Sequence, residues 1–350
     1  MEMKDLRIGY VPYSETLEKP GDRRRFCYYT EKRNINFEIA KPSETYDLVV
    51  VTELGDLSVW SEYGKGNSKV VYDLIDSYLA IPRWDPKGLL RGLAKYVSGQ
   101  SRYLRLNHWR AIQSMCQRAD AVICTTEEQK HAILEFCENV HIILDIHGNV
   151  VNVCKTDYSS GDVFNFVWEG LPQNLRSFYE IRNALEHLKT RHKIAFHIVT
   201  DLEYGQHMGK YRRRYTADIT RKLFDKVYLY EWNEKFCSTI ISACDMALIP
   251  MALDDPFALG KPENKLLLFW RMGMPTVVSA TPSHIRAMHR SGLSMACRTQ
   301  EDWQKTLVKY VEDESARQDA GQCGKTFTEQ YYSEEKILGQ WDALMESVLP

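Results

Sequence analysis

Short apolar runs alternate along this chain with longer stretches in which apolar positions recur every three or four residues. In the first half the runs fall at 6–12, 47–52, 70–75, 121–125 and 140–143. They are continuous instead of alternating with polar residues, the pattern of parallel strands covered on both faces. Helix-length stretches lie between them, such as 104–117 and 127–136. Thr126 stands where an N-cap belongs, and Glu127 and Glu128 suit the positive end of a helix dipole. This βαβ rhythm predicts a doubly wound α/β sheet.

The rhythm pauses over 148–162, where Asn149, Asn152, Asp157, Ser159, Ser160 and Gly161 make the chain polar, and this stretch is expected to be an interdomain linker. Strand and helix signals then resume. Strands are expected at 164–169, 194–200, 227–230, 246–250 and 276–279, with helices at 175–189, 234–243 and 263–272. The tail from 301 to 348 reads as helical throughout. The domains expected are residues 1–148, 149–330 and a terminal helix over 331–350.

A length of 350 residues suits about two domains. With 45 Lys+Arg against 47 Asp+Glu there is no global field to hold nucleic acid or an anionic membrane, although local basic patches remain open. No apolar run approaches the roughly 18 residues of a spanning helix, and the start carries no signal-peptide core, so a cytoplasmic protein is expected. Nine scattered cysteines without a Cys-x-x-Cys pair fit buried thiols better than disulfides or structural zinc. Neither half carries Gly-x-Gly-x-x-Gly after its first strand, and no P-loop occurs, which disfavours a dehydrogenase or a P-loop enzyme.

The richest stretch runs Cys244-Asp-Met-Ala-Leu-Ile-Pro250, Gly260-Lys-Pro-Glu-Asn-Lys265 and Gly273-Met-Pro-Thr-Val-Val-Ser279. It reads strand, loop, helix, tight turn, strand. Pro262 suits a first helical turn, whose free N–H groups attract an anion, and Lys261 and Lys265 bring two cations to the same end. Gly273 fits the position just past the helix and Pro275 stops its continuation. A diphosphate is the guest these features suit.

Asp245-Met-Ala-Leu-Ile-Pro250, Lys261-Pro-Glu-Asn-Lys265 and Gly273-Met-Pro-Thr-Val-Val278 resemble the donor-binding core of GT-B glycosyltransferases, closest to family 4 and its relatives. Trp168-Glu-Gly170 resembles that family's glycine-containing first loop of the second domain. Val71-Tyr-Asp-Leu-Ile-Asp76 and Asp120-Ala-Val-Ile-Cys-Thr-Thr126 resemble the fourth and fifth strands of its first domain. The resemblance implies two Rossmann-like domains facing a central cleft, with the last helix returning to the first domain. It implies transfer of a hexosyl or pentosyl group from a nucleotide sugar, with retention and without metal or other cofactor, to a glycan, lipid-linked or small-molecule acceptor. Donor-binding residues would be Gly170, Glu231, Trp232, Lys261, Glu263, Asn264 and Lys265, and acceptor-binding residues Gly21, Asp22, Arg23 and Arg24. Lys265, Asp73 and Asp76 are the catalytic candidates. The sequence departs from the family pattern at Leu268, where a ribose-binding glutamate is common, and after Gly170, where Arg176 is the first cation.

Each candidate has a plainer alternative. Lys265 could be a solvated side chain. Asp73 and Asp76 close a strand, where a carboxylate serves as base, substrate anchor or cap of the next helix. Arg23-Arg24-Arg25 after Pro20-Gly21 would grip an acidic acceptor or stay solvated. Lys210-Tyr-Arg-Arg-Arg-Tyr215 would hold a nucleic-acid backbone, but a surface helix face is the preferred reading. His147 is expected to be structural. Transfer to a modified nucleic-acid base, or a non-catalytic sugar-nucleotide-binding scaffold, are the competing functions.

Overall fold

Continuous apolar runs become two parallel sheets because neither face of either sheet is left to water. The computed structural model describes residues 6–64, 68–82, 86–206 and 212–349. Contacts divide the chain into two units: Met1–Ile146 with Gly260–Pro262 and Glu334–Pro350, and His147–Leu259 with Glu263–Ser333.

The first unit holds strands β1 (Ile8–Val11), β2 (Glu38–Ile39), β3 (Leu48–Thr52), β4 (Lys69–Asp73), β5 (Ala121–Cys124) and β6 (Val140–Ile142). Their order is β2-β1-β3-β4-β5-β6, all parallel, with Val49 opposite Gly9 and Val70. The order reverses between β1 and β3, and ligands of such sheets bind beyond the carboxyl ends of the strands at that point. The helix Glu334–Val348 completes this unit's core. Its Trp341 stacks on Tyr29 at 5.4 Å and lies 6.0 Å from Phe26, and Ile337, Leu344 and Met345 join the same buried cluster. A capping box starts the helix Glu127–Ile133, in which the Thr126 side chain accepts from Gln129 N–H and the Gln129 side chain answers at Thr126.

The second unit holds β7 (Val163–Glu169), β8 (Lys193–Thr200), β9 (Glu203–Gln206), β10 (Arg212–Tyr215), β11 (Val227–Glu231), β12 (Met246–Ile249), β13 (Thr276–Ser279) and β14 (Ala296–Cys297). The main sheet runs β11-β8-β7-β12-β13-β14, parallel throughout, with its switch point between β7 and β12. Phe166, Phe178, Phe196 and Phe224 pack together under it.

Three sequence expectations change. The stretch 175–189 is not one α-helix: Pro172–Ile181 is a 3-10 run and only Arg182–Lys189 is α-helical. Buried Pro172, Leu175, Phe178 and Ile181 recur at a spacing of three, the 3-10 repeat. Residues 212–215 are a strand, not a helix face. They pair antiparallel with β9, and Arg213 reaches Glu203 at 3.4 Å. A two-stranded ribbon held by its own ladder has no apolar period to betray it. Lys210 and Tyr211 of that motif lie outside the described residues. The third change concerns 148–162, which is irregular but fastened to the second unit. Lys155 N–H donates to Met272 (2.7 Å), Tyr158 hydroxyl to Gly273 (2.8 Å) and Arg317 to the Tyr158 carbonyl (2.8 Å).

All nine cysteines are free thiols, five of them buried. Among the described residues no helix is long and apolar enough to cross a membrane.

Candidate functional site

In the second unit, strand β7 delivers the chain to Gly170 at the carboxyl edge of the sheet. Gly170 has φ +152°, a conformation that side chains rarely adopt. A methyl added there would overlap Lys265 Nζ and press on the Trp168 ring at 3.0 Å. The Lys265 ammonium lies 4.6 Å from the centre of that ring, a cation–π contact that holds it at the end of β7. Gly170 is locked by its own amide, which donates to Val199 (3.2 Å), and by Thr200 Oγ1, which donates to its carbonyl (2.6 Å).

Lys265 is the second residue of the helix Asn264–Arg271, whose buried Leu266–Trp270 face anchors it against the sheet. The helix ends as its sequence requires. Gly273 has φ +72°, its amide returns to Trp270 (2.8 Å) and that of Met274 to Phe269 (3.0 Å). At the other end, Glu263 is the N-cap residue and Pro262 lies outside the helix, not in its first turn. Asn264 opens the helix. Glu263 is buried, and its carboxyl is pushed up by burial and accepts from the Tyr332 hydroxyl (3.3 Å), so its side chain is turned to its own unit. Lys261 groups with the first unit, where the preceding Gly260 carbonyl accepts from Thr126 Oγ1 (3.4 Å).

Beside Lys265 stands His284, which the sequence reading missed. Its ring is buried at the start of the helix Pro282–Ser291, with Nδ1 2.9 Å from the Ser279 carbonyl. Burial first, and the Lys265 charge with it, push its pKa down to about 4, so it is neutral at pH 7. Ser279 Oγ in turn binds both the amide (2.8 Å) and the carbonyl (3.0 Å) of Met251, joining the ends of β12 and β13. Glu231 ends β11 exposed, and the following Trp232 amide donates to Thr200 (3.0 Å). Asp201, also missed, is exposed at this corner, with its carboxyl raised by partial desolvation and by the charges of Glu231 and Glu169. A cavity of about 330 Å³ lined by Lys189, Arg191, His192 and Lys226 lies instead by the amino ends of β8 and β11, the wrong edge for a ligand of such a sheet.

This geometry makes Gly170→Ala disruptive. The strained backbone costs about 1–3 kcal/mol, and the methyl displaces the ammonium. The diphosphate that the sequence leads one to expect at this loop should then bind about tenfold more weakly, measured by calorimetry. Unchanged affinity would mean that nothing binds at this loop.

In the first unit the carboxyl edge gathers carboxylates, but not free ones. Asp22 is buried and accepts from Tyr10 hydroxyl (2.8 Å), Tyr13 N–H (2.7 Å), Ser14 N–H (3.0 Å) and Ser14 hydroxyl (2.9 Å), so it shapes the loop after β1. Gly21 lies under the Tyr13 ring. Arg23 is half-buried and Arg24 buried, so neither is a solvated loop cation. Asp73 is buried and engaged on both oxygens by Arg25, Nη2 to Oδ1 at 2.6 Å and Nε to Oδ2 at 2.9 Å. That pairing removes the free carboxylate which a base requires. Asp76 is half-buried, and its amide donates to Glu53 Oε2 (2.8 Å).

Glu53 follows β3 and was not singled out in the sequence. Burial raises its carboxyl well above the usual range, and the charges of Asp76 and Asp73 add to this. A raised folded-state pKa means that Glu53's contribution to stability is present below its ordinary value of 4.5 and is lost as pH rises through the folded value. Glu53→Gln keeps an acceptor for the Asp76 amide without the charge. The melting temperature of this variant relative to wild type is expected to climb as pH rises above the ordinary carboxyl value of 4.5. Parallel curves would show that Glu53 does not hold its proton.

The sequence matches no protein-family model and no curated protein. Its fold has solved counterparts. Staphylococcus aureus TarM, in a complex with fondaparinux, α-GlcNAc-glycerol and UDP, aligns over 91% of this chain with 14% identity and a TM-score of 0.59. The chain spans 57% of TarM's length. Anabaena HepE, in a complex with UDP and glucose, aligns over 98% of this chain and all of its own, with 13% identity and a TM-score of 0.65. A glycosyltransferase from Rickettsia africae aligns over 98% of both chains, with 10% identity and a TM-score of 0.59. At such identities the likeness is one of fold: an α/β chain of two Rossmann-like units, the GT-B class.

Proposed function

We propose that this chain is a glycosyltransferase related to family 4, moving a hexosyl or pentosyl group from a nucleotide sugar to a glycan, lipid-linked or small-molecule acceptor. The carrying observation is Lys265 Nζ, held against the Trp168 ring where a side chain at Gly170 would stand, at the carboxyl edge of the second sheet. Fold alone does not carry an activity; a cation fixed at the switch-point loop of a nucleotide-binding sheet supplies the chemistry. UDP, present in the TarM and HepE complexes, is the carrier expected.

In the reaction the bond from the anomeric carbon to the diphosphate oxygen breaks, and its electron pair leaves with the diphosphate. The acceptor hydroxyl oxygen forms the new bond and gives up its proton to the departing diphosphate. Lys265 and the positive end of the helix Asn264–Arg271 meet the growing negative charge, which supports a metal-independent transferase; retention is what the family resemblance implies. The second unit is assigned the donor and the first the acceptor. Leu268, buried within its helix, offers ribose nothing, so ribose recognition falls to another residue. Nine free thiols suit the reducing cytoplasm.

A panel of nucleotide sugars with excess chelator tests the reading by release of nucleoside diphosphate. Release from one donor supports it. A melting temperature raised by UDP with no release from any donor would favour the non-catalytic scaffold.

A further inference from the structure

The helix Pro86–Val97 and the loop 98–107 present an apolar ridge to solvent. Leu90, Leu93 and Val97 recur at the spacing of one helix side and are 65%, 46% and 76% exposed, with Tyr96 beside them. Tyr103, Leu104 and Leu106 of the loop are exposed as well. The two segments form one surface, because at Gly92 the backbone carbonyls of Arg105 and Leu106 occupy the space of a side chain. The inner side is pinned: Arg102 N–H donates to Asp56 (2.7 Å) and Tyr103 N–H to Ser58 hydroxyl (3.1 Å). In a chain of net charge −2, residues 86–119 hold Lys87, Arg91, Lys95, Arg102, Arg105, Arg110 and Arg118 and no aspartate or glutamate. Arg102, Arg105 and Arg110 are exposed.

We propose that this face docks on an anionic lipid bilayer. Leucine and valine side chains projecting from a helix and a pinned loop, among cations that outnumber the neighbouring Asp56 and Glu62 (3.8 Å from Arg105), have the chemistry of an interfacial segment: apolar groups enter the acyl boundary and arginines meet lipid phosphates. A second copy of the chain is a poorer occupant, since a two-fold contact would set arginines against arginines. Nucleic acid would match the charge but leave the aliphatic ridge unsatisfied.

The proposal does not rest on the transferase reading, because binding is measured without a sugar donor. Full-length protein is sedimented with vesicles of equimolar phosphatidylglycerol and phosphatidylcholine, and with phosphatidylcholine alone. Wild type is expected on the anionic vesicles and only weakly on the neutral ones. Arg102→Gln with Arg105→Gln should weaken anionic binding about thirty-fold. Leu90→Gln with Val97→Gln should weaken it about a hundred-fold, with the melting temperature kept because both side chains are exposed. Wild type remaining in the supernatant, or both double variants binding like wild type, overturns the proposal. So does a concentration-dependent dimer that the Leu90→Gln/Val97→Gln variant abolishes.

Discussion

Lys265→Ala is expected to lower the rate of nucleoside diphosphate release by roughly thirty- to a thousand-fold while leaving the fold intact. Its ammonium is fixed at the Gly170 turn by the Trp168 ring, so it is positioned before any donor arrives. The charge it meets grows as the glycosidic bond breaks, and a contact stronger in the transition state than in the ground state lowers turnover and not only affinity. One such preorganised charge is worth about 2–4 kcal/mol. The helix that carries Lys265 is anchored by its buried Leu266–Trp270 face, which the substitution leaves alone, so the melting temperature should move little. His284 gives a second readout. Losing the neighbouring positive charge should raise its pKa from about 4, although burial keeps it low, and this is visible in the titration of its ring signals. Turnover near that of wild type would remove Lys265 from the site. A large fall in melting temperature with turnover per folded molecule unchanged would make it structural.

The two sheets were legible because buried parallel strands must be continuously apolar. Strand β13 is found over its expected residues, and β3, β5, β6, β8 and β12 within one residue of theirs. The capping box at Thr126 and the turn at Gly273 were legible for a similar reason, since each is a local backbone need with a residue type that answers it. What escaped depended on distant partners. The two-residue strands β2 and β14 exist only because a neighbouring edge accepts them. The β9–β10 ribbon needs its own other half. Site residues divide in the same way. Gly170 and Lys265 were found through their local motifs and are brought together at the end of β7. Glu53, Asp201 and His284 were missed because a single acid or histidine at a strand end carries no signal until burial and its neighbours define its state. Asp73 was legible as a carboxylate closing a strand and Asp22 was expected to bind acceptor, but the partners that occupy them lie 48 and 8 to 12 residues away.

Asp73→Ala is expected to destabilise the protein by about 3–5 kcal/mol, the cost of breaking a buried ion pair by removing one partner. Arg25 and Asp73 are both fully buried, with bonds of 2.6 and 2.9 Å between them. Burial alone would favour loss of the guanidinium proton, and Asp73 more than reverses this. Without Asp73, Arg25 keeps the Ile143 carbonyl (2.9 Å), Asp145 (3.2 Å) and a distant contact with the Trp341 ring (6.0 Å to its centre), too little to offset a buried charge. The damage should reach β4 and the segment after β6, which Arg25 ties together, and so appear as a lowered unfolding midpoint in urea at unchanged slope. Removing both charges together with apolar residues, Arg25→Met with Asp73→Leu, should recover part of the loss, because no orphaned charge remains. Activity is the deciding comparison. If Asp73 is structural, turnover per folded molecule at low temperature survives in both variants within the limits set by stability. An Asp73→Ala protein with a wild-type urea midpoint and no turnover would restore the carboxylate as a catalytic base and require Arg25 to release it when the acceptor binds.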